Sequence, residues 1–288
     1  MILLLGATGR VGGAAAAALR QSGQPFRVLV RDASKFSLSA ASVDVVEGDL
    51  ADAEQVKAAV AGIDRALLVM SNHPQQAQFE RGFATLAADA GVEHVVKISS
   101  MEASPDASAV LPKNHFETER HIAGLGIDWT FLRPNYYMQN MLMYANSIKQ
   151  TNTFALPLGG ATTAMVDAQD VGEVAAAVLT QGGHEGKIYL LTGPHLMDFH
   201  EVASRMGAVL GRDVNYLEQT PEAFRAILEQ VIPSKWQVDA VSELFAEIAA
   251  GSLSTCNDTV ATILSRPATP IEAFTQRFSK AFGAHETE

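Results

Sequence analysis

The chain opens with the stretch Met1-Ile2-Leu3-Leu4-Leu5-Gly6-Ala7-Thr8-Gly9-Arg10-Val11-Gly12-Gly13, and an alanine run at 14–18 follows it. An apolar strand that leads through a Gly-x-x-Gly-x-x-Gly turn into a helix is typical of a dinucleotide-binding site. Gly6 permits the tight turn, Gly9 lets the backbone approach a pyrophosphate, and Gly12 lets the helix pack closely on the sheet. Free N–H groups at the start of the helix would bind the diphosphate. The predicted cofactor contacts in this turn are Gly6, Thr8, Gly9, Arg10, Val11 and Gly12.

Composition excludes several classes of function. The 288 residues carry a net charge of −11 and contain no basic run, so we do not expect a nucleic-acid-binding surface. The apolar segment 2–5 is too short for a signal peptide, and no apolar stretch approaches the roughly 20 residues that span a bilayer. The single cysteine, Cys256, suits a reducing compartment, and we expect a cytoplasmic protein that makes no membrane contact. The histidines show no metal-ligand spacing, so no metal is implied.

Short apolar segments alternate with helical patterns through the first half of the chain. This alternation predicts an α/β protein with a doubly wound parallel sheet. The predicted strands lie at 2–5, 26–30, 43–47, 65–69, 94–98 and 128–132, and the predicted helices at 12–21, 53–61, 75–90 and 112–125. Residues 1–150 are therefore expected to form the nucleotide-binding domain.

The regular alternation of predicted strands and helices ends after residue 144. Strands are predicted at 153–156, 162–166 and 187–191, and helices at 169–180, 199–210, 221–232, 240–250, 257–264 and 270–281. We expect residues 151–288 to form a smaller mixed α/β region, with 167–182 returning to the first domain. Its expected role is to cover the carboxyl ends of the strands, where open α/β sheets bind ligands.

The end of the second strand bears on the choice between NADH and NADPH. An acidic residue there binds the ribose 2′-hydroxyl, whereas a basic residue accommodates a 2′-phosphate. Arg31 follows the strand, Lys35 lies just behind it, and Arg10 could reach the same side of the pocket. NADPH is therefore favoured over NADH. The alternative is that Arg31 is only a solvated loop residue and that Asp32 binds the ribose.

Further cofactor contacts are predicted where the other strands end. The predicted residues are Asp49, Leu50, Ser71, Asn72, His73 and Ser99. Asp49 and Leu50 would flank the adenine, although Asp49 or Asp52 could equally begin the next helix. Residues 71–73 would lie by the pyrophosphate and the nicotinamide ribose, or form an ordinary polar turn before a helix that begins at Pro74. Ser99 would border the nicotinamide.

Four motifs together resemble the atypical short-chain dehydrogenase/reductases. They are Gly6-Ala7-Thr8-Gly9-x-x-Gly12, Gly48-Asp49-Leu50, Lys97-Ile98-Ser99-Ser100 and Leu132-Arg133-Pro134-Asn135. A finer similarity, to the NmrA-like branch, is carried by residues 115–119, 126–134 and 269–274. The resemblance implies a Rossmann-type fold over nearly the whole chain, with Pro134 at the carboxamide of the cofactor. It also implies NADPH-dependent quinone, azo-dye or triphenylmethane-dye reductases, or NADP-binding redox sensors.

The usual general acid of short-chain dehydrogenases is absent. Those enzymes carry a Tyr-x-x-x-Lys pair, but none of the five tyrosines begins such a motif, and the matching positions hold Leu111 and His115. A simple ketone that accepts hydride becomes an alkoxide and needs a proton donor. A quinone, a quinone-like azo tautomer or a triarylmethyl cation spreads or cancels the arriving charge within its own conjugated system and needs positioning more than acid catalysis. The sequence therefore favours conjugated acceptors.

Candidate substrate contacts follow the fifth and sixth predicted strands. Ser100, Asn135, Tyr136 and Met138 are predicted to line a pocket for an aromatic acceptor, although such clusters are also common in cores. His115 is the candidate proton donor, with a structural role as the alternative. Lys113 is another cation close by in sequence.

These observations predict an NADPH-dependent reductase that passes hydride directly to a small quinonoid or related conjugated acceptor, with no flavin. The alternative is a redox sensor that binds NADP(H), has no reaction, and acts through a protein partner. An epimerase or dehydratase with tightly held NAD is disfavoured by Arg31 and by the missing tyrosine. A homo-oligomer is left open, because such folds commonly associate through the helices that flank the sheet.

Overall fold

Seven strands pair in parallel to form the main sheet, and two further strands form a small parallel sheet. The computed structural model describes residues 1–38 and 40–284. Its strands are β1 (Ile2–Leu5), β2 (Phe26–Val30), β3 (Val43–Glu47), β4 (Arg65–Leu68), β5 (His94–Ile98), β6 (Asp128–Pro134), β7 (Thr153–Leu156), β8 (Lys187–Leu191) and β9 (Asn215–Glu218). The main sheet has the order β3-β2-β1-β4-β5-β6-β8. Because the winding reverses between β1 and β4, the carboxyl ends of these strands border a ligand crevice.

Helices cover both faces of the main sheet. The α-helices of the described chain are α1 (Arg10–Gln21), α2 (Ala53–Val60), α3 (Gln76–Asp89), α4 (Val110–Ala123), α5 (Ala145–Thr151), α6 (Ala168–Thr180), α7 (Phe199–Leu210), α8 (Pro221–Val231), α9 (Lys235–Ala249), α10 (Thr259–Leu264) and α11 (Ile271–Arg277). Alternate side chains of β1 point to opposite faces. Leu4 packs in the cluster with α1, α6 and α10, whereas Leu3 and Leu5 pack in the cluster with α2, α3 and α4. The predicted α/β architecture is confirmed.

A second apolar core lies around the small sheet of β7 and β9. Phe154, Phe199 and Tyr216 meet there, with ring centroids 5.6 to 6.5 Å apart. Asp170 of α6 accepts hydrogen bonds from the N–H and the hydroxyl of Thr269, at 2.7 and 2.9 Å, and so ties the segment before α11 to α6. The last four positions of the predicted region 151–288 lie outside the described residues.

Helix α4 receives its N-terminal cap from α9. Ala109, which precedes α4, has no side chain that can accept a hydrogen bond. Glu247 of α9 accepts hydrogen bonds from the backbone N–H groups of Ser108 and Ala109, each at 2.7 Å. Glu243, one turn earlier, accepts the N–H of Val110 at 3.1 Å. Because the first N–H groups of a helix have no partners within it, α9 completes α4 and holds it in place.

Most of the predicted elements are confirmed, and the errors lie after residue 144. The strand predicted at 162–166 is wrong, because Thr163 and Val166 make only isolated bridges, to Met197 and Tyr137. β9 and α5 were not predicted. The helix predicted at 240–250 begins earlier, at Lys235, because Ser234 caps it, and the helix predicted at 270–281 ends at Arg277.

Candidate active site

The glycine turn between β1 and α1 requires glycine at two positions. Gly6 has a φ of +66°, and a Cβ there would lie 2.7 Å from the carbonyl oxygen of Val69. A Cβ on Gly12 would lie 2.3 Å from the carbonyl oxygen of Gly6, so a side chain would force α1 away from β1. The N–H of Gly9 donates to the carbonyl oxygen of Gly6 at 2.8 Å and closes the turn. Thr8 is exposed at the tip and Val11 is buried beneath it.

The start of α1 is open to an anion. Gly9 is the N-cap residue, and within residues 1–38 and 40–284 no side chain accepts a hydrogen bond from the first turn of the helix. Free N–H groups at a helix start, next to a backbone cradle without side chains, fit a pyrophosphate. Arg10 begins the helix, and its Nη1 donates to the carbonyl oxygen of Gln139 at 3.3 Å. The structure therefore directs Arg10 toward the segment after β6, and does not bring it together with Arg31.

Arg31 lies exposed directly after β2, and no side chain in the described part of the chain pairs with it. The carboxylate of Asp32, in contrast, accepts hydrogen bonds from the N–H and the hydroxyl of Ser34, at 3.0 and 2.6 Å. The contacts with Ser34 lower the pKa of Asp32, and Lys35 adds a favourable charge 3.5 Å away. Because Asp32 is held by its own loop, Arg31 is the better placed of the two to meet a ligand.

Two aspartates organise the loop between β3 and α2. Asp52 caps α2 by accepting hydrogen bonds from the N–H groups of Glu54 and Gln55, at 3.0 and 3.2 Å. Asp49 accepts the N–H of Ala51 at 2.9 Å in the turn before the helix. Asp52 is thus the helix cap. Asp49 and the half-buried Leu50 follow β3, which pairs with β2, the strand that ends just before Arg31.

The loop after β4 is exposed from Ser71 to Gln75. Nδ1 of His73 accepts the N–H of Gln75 at 3.1 Å, and its ring stacks on Phe79 with a centroid distance of 5.5 Å. Ser71 and Asn72 are exposed, next to the crevice beside β1. This placement puts the loop at the same edge of the sheet as the glycine turn.

An unpaired hydroxyl lies at the end of β5. Ser99 is buried, its N–H donates to the carbonyl oxygen of Leu132 at 2.7 Å, and its Oγ finds no partner among residues 1–38 and 40–284. A buried hydroxyl without a partner costs about 1–3 kcal/mol, so the position fits a group that bonds a ligand. Pro134 ends the neighbouring strand β6, where it is buried and pairs with Leu191 of β8.

Two ion pairs join the main sheet to its helices, one fully buried and the other largely buried. Lys97 of β5 pairs with Glu80 of α3, and Arg133 of β6 pairs with Glu119 of α4 through two hydrogen bonds. The cations of both pairs act on His115. Burial and the positive charges of Lys97 and Arg133 hold the pKa of its ring well below the usual range. Nδ1 of His115 is buried and has no partner in the described chain. The ring is therefore a neutral hydrogen-bonding group at pH 7.

The two positions of the missing acid motif are both on α4. Leu111 is buried and apolar, so it supplies no proton.

Burial raises the pKa of Tyr136 well above its usual range, and its ring packs edge-on against Phe199 and Phe245. Tyr136 therefore stays protonated within the second core.

The remaining predicted substrate residues separate into buried and accessible ones. Asn135 donates to the carbonyl oxygens of Leu253 and Thr255, at 3.0 and 3.3 Å, and its Oδ1 accepts the hydroxyl of Thr163. Met138 is fully buried in the second core. Ser100 is half-buried, and its hydroxyl donates to the carboxylate of Glu102. The structure thus leaves Ser100 partly accessible, whereas Asn135 and Met138 are buried.

Some residues of this region carry no signal that the sequence could have revealed. Three glutamates belong to helices, where the sequence pattern predicts a carboxylate exposed to solvent; they are Glu80, Glu119 and Glu247. Glu102 follows a predicted strand, and its position after Ser99-Ser100 was the one available hint.

Comparison with known proteins assigns this arrangement to a family. The profile of the NmrA-like family matches residues 1–275. The chain belongs to the NmrA-like family. It is 35% identical over 285 residues to an NAD(P)H azoreductase of Xenophilus azovorans, a match that covers 99% of this chain and 100% of the relative. It is 28% identical to quinone oxidoreductase 2 of Escherichia coli over 276 residues, which cover 94% of this chain and 96% of the relative.

Solved structures of NmrA-like and related proteins share the fold. The NADPH complex of the Escherichia coli NADPH-dependent quinone oxidoreductase superposes with a TM-score of 0.88 at 26% identity, over 97% of this chain and 100% of the other. The Citrobacter sp. triphenylmethane reductase bound to NADP(H) has a TM-score of 0.85 at 24% identity, over 96% and 98% of the two chains. This NmrA-like protein is thus an oxidoreductase of the type that uses NAD(P)H.

Two features are absent from the described residues. No helix within 1–38 and 40–284 is long and apolar enough to cross a membrane. The same residues contain no group of three or more His, Cys, Asp or Glu side chains arranged to hold a metal ion.

Proposed function

We propose that this NAD(P)H-dependent oxidoreductase uses NADPH to reduce conjugated acceptors, with azo compounds and quinones as the substrate class. The observation that carries the proposal is that Leu111, at the position of the missing acid, is buried and apolar, in a chain that also contains the glycine turn. A site that lacks the usual tyrosine acid suits an acceptor that spreads the arriving negative charge within its own π system. Whole-length similarity to an azoreductase and to a quinone reductase supports the same class.

A third relative adds to this picture. The chain is 34% identical over 287 residues to a (4-alkanoyl-5-oxo-2,5-dihydrofuran-3-yl)methyl phosphate reductase of Streptomyces griseus, over 98% of this chain and 99% of the relative. The substrate in that name contains a carbon–carbon double bond conjugated to carbonyl groups. Azo, quinone and unsaturated lactone acceptors share an electron-poor π system, and this shared chemistry is the basis of the proposed class.

The choice of NADPH rests on Arg31. An exposed guanidinium at the end of β2, with no partner among the described residues, supports a 2′-phosphate contact, because guanidinium and phosphate pair through several donors. In the proposed complex the turn from Gly6 to Gly12 holds the pyrophosphate, and the Ser99 hydroxyl bonds the nicotinamide end. Bound NADPH supplies the hydride. The protein orients the acceptor and excludes water.

The side chains around the acceptor have different proposed tasks. Ser100 contacts the acceptor, and His115 acts as a neutral hydrogen-bonding ring. Asn135 and Met138 shape the pocket from behind, because the first is fully hydrogen-bonded and the second is buried. Residues 151–284 cover the acceptor, and residues 1–150 with α6 bind the cofactor.

NADPH oxidation tests the proposal directly. The purified protein is assayed with an azo dye, a benzoquinone, a triarylmethane dye and a saturated ketone such as cyclohexanone. We expect kcat/KM for at least one conjugated acceptor to exceed that for the ketone by about 10² or more, which is the usual value of acid catalysis. Tight NADPH binding without turnover of any acceptor would contradict the proposal and favour a redox sensor that acts through a protein partner.

A further inference from the structure

A carboxylate from the neighbouring strand holds the loop that follows β2. In the register of the two strands, Glu47 at the end of β3 lies opposite Val30, the last residue of β2. Its Oε1 accepts the backbone N–H of Ala33 at 2.8 Å, and Ala33 is two residues beyond Arg31. The carboxylate therefore lies at the loop to which the proposed function assigns the 2′-phosphate of NADPH.

A second carboxylate occupies other donors of this loop. Asp32 accepts the N–H and the hydroxyl of Ser34, and its Oδ2 lies 3.5 Å from Nζ of Lys35. Ser34 and Lys35 belong to a short 3₁₀ turn, which Asp32 caps. Successive backbone N–H groups in a turn commonly bind anions. Here those of Ala33 and Ser34 are bonded to carboxylates of the protein instead.

The charges around the loop cancel. Arg31 and Lys35 supply two positive charges at pH 7, and Asp32 and Glu47 supply two negative ones. A phosphate monoester carries roughly two negative charges at this pH. It therefore enters a loop with no net positive charge, whereas the uncharged 2′-hydroxyl of NADH is not repelled by either carboxylate.

The two carboxylates differ in how far their charge is offset. Lys35 lies beside Asp32, whose oxygens also accept both donors of Ser34. Glu47 is exposed, bonds the N–H of Ala33, and forms no ion pair within residues 1–38 and 40–284. Glu47 is therefore the carboxylate whose charge acts on a bound phosphate with no cation beside it.

We propose that Glu47 limits the preference of this protein for NADPH, so that the site also accepts NADH. The inference rests on the proposed function, which puts the 2′-phosphate at Arg31, and adds the residue that opposes it. The hydrogen bond from Ala33 to Glu47 holds the loop in place and acts on both nucleotides alike. The charge of Glu47 raises the free energy of the bound phosphate and so acts on NADPH alone.

The substitution Glu47→Gln separates the charge from the hydrogen bond. The amide oxygen of Gln can still accept the N–H of Ala33, so the loop keeps its tether while the negative charge is lost. We expect the ratio of the Kd for NADH to the Kd for NADPH to rise about three- to tenfold, because a repulsion between charges several ångströms apart in water is removed. The change should lie in the Kd for NADPH, and the Kd for NADH should stay the same.

Isothermal titration with both nucleotides measures these ratios, and Glu229→Gln is the matched control. Glu229 is exposed on α8, outside the nucleotide-binding domain, where it pairs with Arg225. This variant loses the same charge and should leave both Kd values unchanged. Because salt screens charges in water, the gain in Glu47→Gln should shrink at about 1 M NaCl, where the screening length is roughly 3 Å.

A second readout does not involve the cofactor. Hydrogen exchange of the cofactor-free protein should show the amide of Ala33 equally protected in the wild type and in Glu47→Gln, and less protected in Glu47→Ala, which has no acceptor. In Glu47→Ala the ratio of the two Kd values should rise as in Glu47→Gln, but both Kd values should be higher than in Glu47→Gln, since the loop has lost its tether.

Three results would overturn the inference. If Glu47→Gln leaves the ratio unchanged or lower while Arg31→Ala weakens NADPH binding, Glu47 does not oppose the phosphate, and the proposed function stands. Equal gains for the two nucleotides in Glu47→Gln would show that the charge does not act on the 2′-phosphate. If Arg31→Ala leaves the ratio unchanged, the phosphate lies elsewhere, and both the assignment of Arg31 and the inference about Glu47 are wrong.

Discussion

Lys97 and Glu80 form an ion pair in which Nζ lies 2.7 Å from Oε2 and the two side chains are 0% and 1% exposed. The other carboxylate oxygen accepts a hydrogen bond from Gln76 at 3.2 Å, and Nζ also donates to the carbonyl oxygen of Ile98 at 3.3 Å. β5 and α3 are therefore joined by charges whose loss of hydration is offset only while both partners are present. Burial holds the pKa of His115 well below its usual range, and the positive charge of Lys97 lowers it further.

Removing one partner of this pair should be costly. Glu80→Gln leaves Lys97 buried without a counter-charge, and we expect the free energy of unfolding to fall by about 3–5 kcal/mol. The double variant Glu80→Leu with Lys97→Met replaces the pair by apolar side chains and should recover most of that loss. Urea denaturation measures both. A loss below about 1 kcal/mol for Glu80→Gln would show that the pair is solvated.

The glycine turn should not tolerate a methyl group. Gly12→Ala places a Cβ 2.3 Å from the carbonyl oxygen of Gly6, and we expect it to weaken NADPH binding at least tenfold and to destabilise the fold by about 1–3 kcal/mol. Gly82→Ala is the matched control, because Gly82 lies in α3 with no atom within 4 Å of an added Cβ. It should leave binding unchanged and stabilise the helix by up to about 1 kcal/mol. Fluorescence titration and thermal melting report the two effects.

Arg31 should determine the preference for NADPH over NADH. Arg31→Ala removes a charge-assisted contact worth about 1.5–3 kcal/mol, so the Kd for NADPH should rise about 10- to 100-fold while that for NADH stays the same. Arg20→Ala is the control, since Arg20 is exposed in the last turn of α1, at the end away from the glycine turn. Isothermal titration with both nucleotides provides the comparison. An unchanged ratio of the two affinities would mean that another residue recognises the phosphate.

His94 should make the fold sensitive to acid. Thr130 donates its hydroxyl proton to the carbonyl oxygen of His184 at 2.7 Å, so Nε2 of His94 must donate to Thr130, and Nδ1 is left buried without a partner in the described chain. Burial, with help from Arg65, lowers the pKa of His94. The unfolded chain then binds a proton near pH 6.5 that the folded chain takes up only at lower pH.

The stability contribution of neutral His94 is complete above about pH 6.5 and is lost as the pH falls through the lowered pKa, by at most about 1.4 kcal/mol per pH unit. His94→Gln keeps a donor for Thr130 and removes the titration. Unfolding free energies of both proteins from pH 7.5 to 5 should therefore converge as the pH falls. Parallel curves would contradict the assignment.

The N-terminal half could be read from the sequence because its signals are local. Each of the first six strands is short and mostly apolar, and a helix-ending glycine separates most of them from the preceding helix. The region after residue 144 was less predictable, because its elements depend on partners elsewhere. The segment 162–166 has the composition of a strand, but its backbone groups pair singly with Met197 and Tyr137 on two sides. β9 is four residues long and three of its side chains are exposed, so its pattern is weak.

By itself, the sequence determined the dinucleotide turn, the doubly wound sheet, the basic residue after β2 and the absence of the Tyr-x-x-x-Lys acid. These features lie within short windows, where spacing and residue type are sufficient. Only the tertiary structure decided which side chains face the crevice. Asn135 and Met138 turned out to be buried, and Glu247 was brought to the start of α4, where it accepts the N–H of Ala109 from 138 positions away in the sequence. Burial and charge at a site come from segments that are distant along the chain, so they are properties of the folded protein.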